Sequence, residues 1–142
     1  AIKALDWAPF RRGLLASGGG SADQTIKIWD TNTGHVHSST NRISQVSGLV
    51  WSQYKPELCS THGYSGNELI LWRYCMNTGL QKVEELHTSA RILSLACSPD
   101  ETSVATAGAD ETIRFWRIFE GAPKSDRHLP MGNLTFDTPQ IR

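Results

Sequence analysis

Short stretches of alternating apolar and polar residues recur along the chain, and turns rich in Gly, Pro, Asn and Asp separate them. Alternation of this kind is typical of β-strands that bury one face in an antiparallel sheet. No stretch sustains the period of about 3.6 residues that marks an amphipathic helix, so we expect few helices. The pattern therefore predicts an all-β protein.

A tryptophan marks one strand of each repeat. Trp29, Trp72 and Trp116 lie 43 and 44 residues apart, and each of them closes an alternating segment. Four short strands in about 43 residues are the blade of a WD-repeat β-propeller. The regular spacing of the three indole rings favours packing between blades over a role as ligand platforms.

The repeat predicts three blades with strands named a, b, c and d. The blades span about 1–43, 44–87 and 88–119, and an extended tail spans 120–142. The predicted strands are Ile2–Trp7, Leu14–Ser17, Thr25–Asp30 and His35–Asn41, then Val46–Ser52, Glu57–Thr61, Glu68–Tyr74 and Leu80–Leu86, then Ile92–Ser98, Ser103–Ala107 and Thr112–Ile118, with no clear outer strand in the last blade. A closed ring needs about four to eight blades, so we expect two exposed apolar blade faces here and further blades that complete the ring.

The turn between strands b and c carries an aspartate in two of the blades. Asp23 and Asp110 each lie six residues before the strand-c tryptophan, and we interpret both as residues that fix the turn. Gly66 stands at this position in the middle blade. The middle turn is therefore expected to be held differently.

Charge and cysteine content narrow the function classes. Fourteen basic side chains balance fourteen acidic ones, which gives no electrostatic reason to expect nucleic acid or an anionic membrane as a partner. No apolar run approaches the roughly 20 residues of a membrane span. Three cysteines without a paired spacing favour a reducing compartment over a disulfide framework. The start at Ala1, without an initiator Met or a signal peptide, is expected of the interior of a longer chain.

Two kinds of reactive site were considered from the residue types. Cys59 and His62 offer zinc-ligand atoms, but their spacing fits no tight ligand pair, so we expect neither metal nor cofactor. Ser60, His62 and Asp110 contain the groups of a hydrolytic triad, but no nucleophile-elbow motif surrounds Ser60. We expect no catalytic residue and favour a role in binding other proteins.

Several stretches carry a family resemblance. Arg12–Asp23, with its three consecutive glycines, resembles the Gly-rich turn of the Fizzy and Fizzy-related proteins, which are substrate-recruiting coactivators of the anaphase-promoting complex, a ubiquitin ligase. Ser44–Val46, Ser60–Ser65 and Asp110–Trp116 are similar to the same family, and the terminal Ile141-Arg142 resembles its C-terminal tail. The resemblance covers residues 1 to about 120 and the last two residues.

The resemblance implies a fold and a set of binding residues. The family fold is a seven-bladed propeller, of which this chain corresponds to the last three blades and the tail. The implied sites are Ser21, Gln45 and Arg91 for the KEN degron, Glu111 for the arginine of the destruction box, and Ile141 and Arg142 for docking to the ligase. Ser21 and Glu111 are expected on b–c loops and Gln45 and Arg91 just before strand a, so that all four side chains open onto one propeller face.

The resemblance also implies partners. They are degron-bearing substrate proteins, a tetratricopeptide-repeat subunit of the ligase, and pseudosubstrate inhibitors or checkpoint proteins, in the nucleus and cytoplasm. A generic WD-repeat interaction scaffold without degron specificity is the alternative. One departure from the family is the run from His87 to Arg91, which is one residue longer than the usual spacing. We therefore expect either a displaced His87 or a bulged loop before Arg91.

Overall fold

A computed structural model describes residues 1–41, 43–64 and 66–122 as three antiparallel sheets. The first sheet contains β1 (Ile2–Trp7), β2 (Leu14–Gly19), β3 (Ile26–Asp30) and β4 (His35–Ser39). The second contains β5 (Val46–Trp51), β6 (Glu57–His62), β7 (Glu68–Cys75) and β8 (Gly79–His87). The third contains β9 (Ile92–Cys97), β10 (Ser103–Gly108) and β11 (Ile113–Arg117).

Sequential strands pair as neighbours in every sheet, which is the up-and-down order of a propeller blade. All eleven predicted strands form, and their ends differ from the prediction by at most two residues. The last blade has three strands within the described residues, as expected. No helix in the described part of the chain is long and apolar enough to cross a membrane.

Two apolar clusters hold the three sheets together. The cluster between the first and second sheets contains Ala16, Ile26 and Ile28 from one side and Val46, Leu58, Ile70 and Trp72 from the other. The cluster between the second and third sheets contains Cys59, Leu69, Leu71, Ile92 and Val104, with Trp116 packed against it. The middle sheet is therefore covered on both faces, and alternation along its strands sends successive side chains into opposite clusters.

The strand-c tryptophans pack as predicted wherever a preceding blade is present. Trp72 packs toward the first sheet and Trp116 toward the second. Each ring nitrogen also donates a hydrogen bond to a hydroxyl on strand b of its own blade. The pairs are Trp29–Ser17 at 2.7 Å, Trp72–Ser60 at 2.8 Å and Trp116–Thr106 at 2.8 Å. These bonds satisfy an indole N–H that packing would otherwise leave without a partner.

Large apolar side chains are exposed on the outer blades, as the open stack predicts. On β1, Ile2, Leu5 and Trp7 are 62%, 60% and 58% exposed, and Phe115 on β11 is 61% exposed. Apolar surface of this kind in a propeller blade is normally covered by the next blade. The further blades of the ring remain a prediction.

The b–c turns confirm the structural role of both aspartates. Asp23 accepts hydrogen bonds from Thr25 Oγ1 at 2.9 Å and Lys27 Nζ at 2.6 Å. Asp110 accepts equivalent bonds from Thr112 Oγ1 at 2.7 Å and Arg114 Nη2 at 2.8 Å. Both networks therefore join the Asp to the second and fourth residues after it.

The middle turn uses a different carboxylate. A Cβ added to Gly66 would lie 2.1 Å from Glu68 Oε1, so the Glu68 side chain fills the space that an Asp at position 66 would need. Burial raises the pKa of the Glu68 carboxyl, and the nearby Glu85 charge raises it further. The middle turn therefore differs from the other two, since the Glu68 carboxylate occupies the space beside Gly66.

Candidate functional site

One residue in strand a of every blade is bulged out of the pairing with strand b. The register shifts between Ile2 and Ala4, between Val46 and Gly48, and between the partners of Ala107 and Gly108. The bulged residues are Lys3, Ser47 and Leu93. A bulge re-aims the side chain of the extra residue, so the repeat brings three side chains of different chemistry to equivalent positions.

The residue just before strand a is also fixed in the same way in each blade. Its carbonyl accepts a hydrogen bond from the backbone N–H of the residue that directly follows strand b. The pairs are Ala1 with Gly20 at 2.7 Å, Gln45 with Gly63 at 2.8 Å, and Arg91 with Ala109 at 3.0 Å. Gln45 and Arg91 therefore occupy the same place in neighbouring blades, and the prediction that they share one face is supported by this geometry.

A cavity of about 260 Å³ lies where these positions meet. Its lining residues are Lys3, Gln45, Ser47, Gly63, Arg91, Ile92 and Leu93. They come from all three blades and place two cations, an amide and a hydroxyl around a small apolar wall. None of these lining residues is acidic. A cavity with this lining suits a peptide that presents a carboxylate and an amide side chain.

Gln45 is half-buried against the b–c turn of its own blade. Its side-chain Oε1 lies 3.5 Å from the Cβ position that Gly63 lacks. A larger residue than alanine at position 63 would therefore compete with the amide for space. Burial of the amide body restricts its rotamers, which lowers the entropy that a bound peptide would have to remove.

Arg91 is exposed but held from several sides. Its guanidinium carbon lies 5.3 Å from the centroid of the Tyr64 ring, which is a cation–π geometry. The preceding loop is tied down by Thr88, whose hydroxyl donates to the carbonyl of Ala90 at 2.6 Å. Ser89 Oγ donates to Asp110 Oδ2 at 2.9 Å. The loop therefore presents Arg91 from a fixed backbone.

The loop between His87 and Arg91 contacts the b–c turn of the last blade through a serine. Ser89, rather than His87, makes the contact with the turn residue Asp110. His87 ends β8 opposite Glu68, and its Nε2 lies 3.5 Å from Glu85 Oε1. His87 thus lies on the outer strand of the middle blade, and the Ser89 hydroxyl contacts the turn.

Two further predicted site residues, Ser21 and Glu111, are not among the residues that line the cavity. Ser21 is exposed in the b–c turn of the first blade, and Glu111 is exposed in that of the last. Glu111 has a φ of 61°, and the equivalent residues Gln24 and Asn67 have φ values of 59° and 53°. The left-handed backbone at Glu111 is therefore a property of the turn in every blade and does not depend on its side chain. Ile141 and Arg142 lie outside the described residues.

The groups considered for catalysis and zinc binding are parts of the core or of a turn. Ser60 Oγ accepts the Trp72 N–H and lies 2.8 Å from His62 Nε2, and both Ser60 and His62 are fully buried. Burial lowers the pKa of His62 to about 4, so the neutral ring accepts the Ser60 hydroxyl proton in a hydrogen bond. Burial also raises the pKa of the Cys59 thiol. Asp110 is held in the turn of another blade, so no triad is assembled.

A different group of metal-ligand types does lie together on the outer part of the middle blade. Ligand atoms of Glu68, Glu85 and His87 all lie within 4.8 Å of one another. Lys82 Nζ forms an ion pair with Glu85 and supplies a positive charge there. Hydrogen bonding to Lys82 lowers the pKa of the Glu85 carboxyl. The cluster is thus already balanced in part by a side chain of the protein.

Two residues of the cavity region were missed in the sequence. From the sequence, Lys3 is placed only within the predicted strand Ile2–Trp7, and Tyr64 only within the family stretch Ser60–Ser65. Tyr64 could have been noticed, because an aromatic residue directly after a Gly turn is placed to contact a neighbouring loop. The position of Lys3 depends on a bulge, and nothing in the alternation of β1 marks that bulge.

The comparisons with known proteins agree with this fold. A family model described as "WD domain, G-beta repeat" matches residues 1–30 and 80–117. The chain is 49% identical over 127 residues to Cell division cycle 20.1, cofactor of APC complex, of Arabidopsis thaliana, covering 88% of this chain and 27% of that protein. It is 43% identical over 142 residues to Protein FIZZY-RELATED 1 of the same organism, covering 100% of this chain and 30% of that protein.

A solved structure agrees as well. A chain in the crystal structure of the mitotic checkpoint complex superposes with a TM-score of 0.81 and 39% sequence identity, covering 84% of this chain and 37% of that chain. The family resemblance and the propeller fold are thereby confirmed. The chain spans less than a third of the length of the curated relatives described above.

Proposed function

We propose that this chain, a WD-repeat propeller segment similar in sequence to the Fizzy and Fizzy-related proteins, forms part of the substrate-recognition surface of a coactivator of the anaphase-promoting complex. The names of two relatives support this proposal, since one is called a cofactor of that complex and the other FIZZY-RELATED. The single observation that carries it is the cavity shared by Gln45 and Arg91. The residues that line this cavity are suited to binding a peptide rather than to catalysis.

The KEN degron is the proposed ligand of this cavity. Its glutamate carboxylate pairs with the Arg91 guanidinium, and its asparagine exchanges amide hydrogen bonds with Gln45. Ser21 adds a hydroxyl from the neighbouring b–c turn. The stacking of Arg91 on Tyr64 supports this assignment, because it leaves the guanidinium edge available to a carboxylate.

Glu111 is the proposed acceptor for the arginine of the destruction box. Its exposed position beside the structural Asp110 supports this role. The site would lie between the last blade and the first blade of the ring. Its apolar pocket therefore requires a blade that is not among the three described here.

Docking to the ligase is assigned to Ile141 and Arg142. An apolar side chain, a guanidinium and an α-carboxylate in succession fit a groove on a tetratricopeptide-repeat subunit. The propeller would then hold the substrate while the tail holds the ligase, and the higher effective concentration of substrate would be the whole mechanism. We propose the nucleus and cytoplasm as its location, with pseudosubstrate inhibitors or checkpoint proteins as further partners.

Peptide binding tests the proposal. A fluorescent KEN peptide should bind the chain, and Arg91→Ala should weaken binding by about tenfold or more, because a charge-assisted hydrogen bond is lost. Arg73→Ala is the matched control: Arg73 is an exposed arginine on β7 that only faces Glu57 at 3.7 Å. Equal affinities for the two variants would leave the generic scaffold as the better account.

The tail is tested separately. Deletion of Ile141 and Arg142 should abolish capture of the ligase while leaving peptide affinity unchanged. Loss of both activities together would contradict the division of labour between propeller and tail.

A further inference from the structure

Lys3 belongs to the same cavity as Gln45 and Arg91 although it lies in a different blade. It is the bulged residue of β1, the position that Ser47 and Leu93 occupy in the other two blades. The repeat thus places a cation, a hydroxyl and an isobutyl group at three equivalent points around one cavity. Only the first blade contributes a charge at this point.

The charge of the cavity is therefore one-sided. Lys3 and Arg91 face it, and no carboxylate stands among its lining residues. No acidic lining residue and no salt bridge among the described residues neutralises the charge of Arg91. Its stacking partner Tyr64 is uncharged. Two cations that approach a common space from separate blades repel each other, and an anion between them removes that repulsion.

We infer that Lys3 is a specificity-determining residue that, together with Arg91, selects a peptide carboxylate in this cavity. This inference rests on the proposed function, because it deepens the description of the same peptide site. Arg91 supplies a planar pair of donors, whereas the Lys3 ammonium is a point charge that attracts the carboxylate with little demand on geometry. Arg91 thus orients the peptide carboxylate, and Lys3 adds electrostatic attraction.

The bulge explains why Lys3 reaches the cavity. In a regular strand the Lys3 side chain would point to the sheet face opposite Ile2 and Ala4. Because Lys3 is the extra residue of a bulge, its side chain is re-aimed toward the edge where strand a meets the b–c turns. Ile92 and Leu93 form the apolar part of the lining. Apolar walls reduce the screening of a charge pair by water, so the ammonium acts on a bound carboxylate more strongly than on a free surface.

The test compares two peptides and three variants of the full chain by fluorescence anisotropy at low salt. The first peptide carries the KEN degron, and the second has glutamine in place of its glutamate. Lys3→Met removes the charge but keeps the apolar stem, and Lys3→Arg keeps the charge. Lys82→Met is the control, since it removes a lysine from β8, an outer strand where its partner is Glu85.

Lys3→Met is expected to weaken binding of the KEN peptide about fivefold and to leave the glutamine peptide unchanged. Lys3→Arg should restore most of the affinity, and Lys82→Met should have no effect on either peptide. Circular dichroism confirms that each variant is folded, and no change is expected because Lys3 is exposed and lies outside both apolar clusters.

Three results would overturn the inference, and they differ from a failure of the proposed function. Equal weakening of both peptides by Lys3→Met would show a general electrostatic effect, and no weakening of either would show that Lys3 is a solvated residue. Weakening by Lys82→Met to the same extent would point to net charge alone. In each of these cases the KEN peptide still binds, whereas absence of KEN binding by the unmodified chain would overturn the proposed function itself.

Discussion

The middle and last blades build the same strand geometry with different physical support. In the middle blade all six residues of β6 are buried, and Ser60, His62 and Trp72 form a hydrogen-bonded chain inside the core. In the last blade the Trp116–Thr106 bond is accompanied by a surface network, in which Asp110 joins Thr112, Arg114 and Ser89. The middle blade is therefore supported mainly inside the core, and the last blade also by exposed hydrogen bonds.

The difference follows from the neighbours of each blade. The middle sheet is covered on both faces, so a polar group inside it must find a partner within the protein. The last sheet is covered on one face, and water can replace a lost partner on the other. The candidate cavity lies across this boundary, since Gln45 belongs to the middle blade and Arg91 to the last one.

The largest expected effect comes from removing, in each of the two blades, the hydroxyl that accepts the hydrogen bond of the strand-c tryptophan. Ser60→Ala leaves both the Trp72 N–H and the His62 Nε2 without partners in a dry core, and should lower the free energy of unfolding by about 3 kcal/mol. Thr106→Val removes the acceptor of Trp116, whose ring is only half-buried, and should cost about 1 kcal/mol. Urea denaturation followed by tryptophan fluorescence measures both values.

Equal losses for the two variants would mean that the blades are supported alike. The control is Ser47→Ala, which removes a half-buried hydroxyl that pairs only with Thr61 Oγ1 at 3.1 Å among the described contacts. Its cost should be the smallest of the three.

Acid should separate the blades as well. The folded pKa of His62 is lowered to about 4 by burial, below its ordinary value of 6.5, so the unfolded chain binds the extra proton first. Stability from the neutral buried ring is present above pH 6.5 and is lost as the pH falls toward 4. Between pH 7 and pH 5 the free energy of unfolding should fall by about 2 kcal/mol.

The last blade should respond at lower pH. Hydrogen bonds from Thr112, Ser89 and Arg114 hold the pKa of the Asp110 carboxyl well below its usual range. A carboxyl with a lowered pKa stabilises the fold above the unfolded value of 3.8, so its contribution is lost only below about pH 4. Hydrogen exchange at pH 5 should therefore show opening of β6 before the turn at Asp110, and the reverse order would contradict the comparison.

The fold followed from the sequence because its main signals are local. The tryptophan period and the alternation of each strand fix the blades, and the Asp position fixes two of the three turns. The pairing of Gln45 and Arg91 could also be expected, since each one precedes a strand a. These features depend on residues close in the chain.

The parts that could not be predicted depend on contacts distant in the chain or on register. The Glu68 side chain occupies the place of a turn Asp because Gly66 lacks a side chain, and the sequence indicates only that this turn differs from the other two. Lys3 reaches the cavity through a bulge, and the sequence of its own strand does not indicate that bulge. Ser89, rather than His87, contacts Asp110, and the sequence alone could not show which residue of the loop makes that contact.

The smallest expected effect concerns the loop that joins the exposed support to the cavity. Ser89→Ala removes the hydroxyl that donates to Asp110 and accepts from Arg114, while the backbone bond between Arg91 and Ala109 remains. The loop keeps its path but loses one restraint next to Arg91, so the affinity for a KEN peptide should fall about twofold with the stability almost unchanged. Anisotropy titration against Ser103→Ala, a substitution on β10 of the same blade, measures the difference. A loss as large as that of Arg91→Ala would mean that Ser89 touches the peptide itself, and an unchanged affinity would mean that the backbone bond alone positions Arg91.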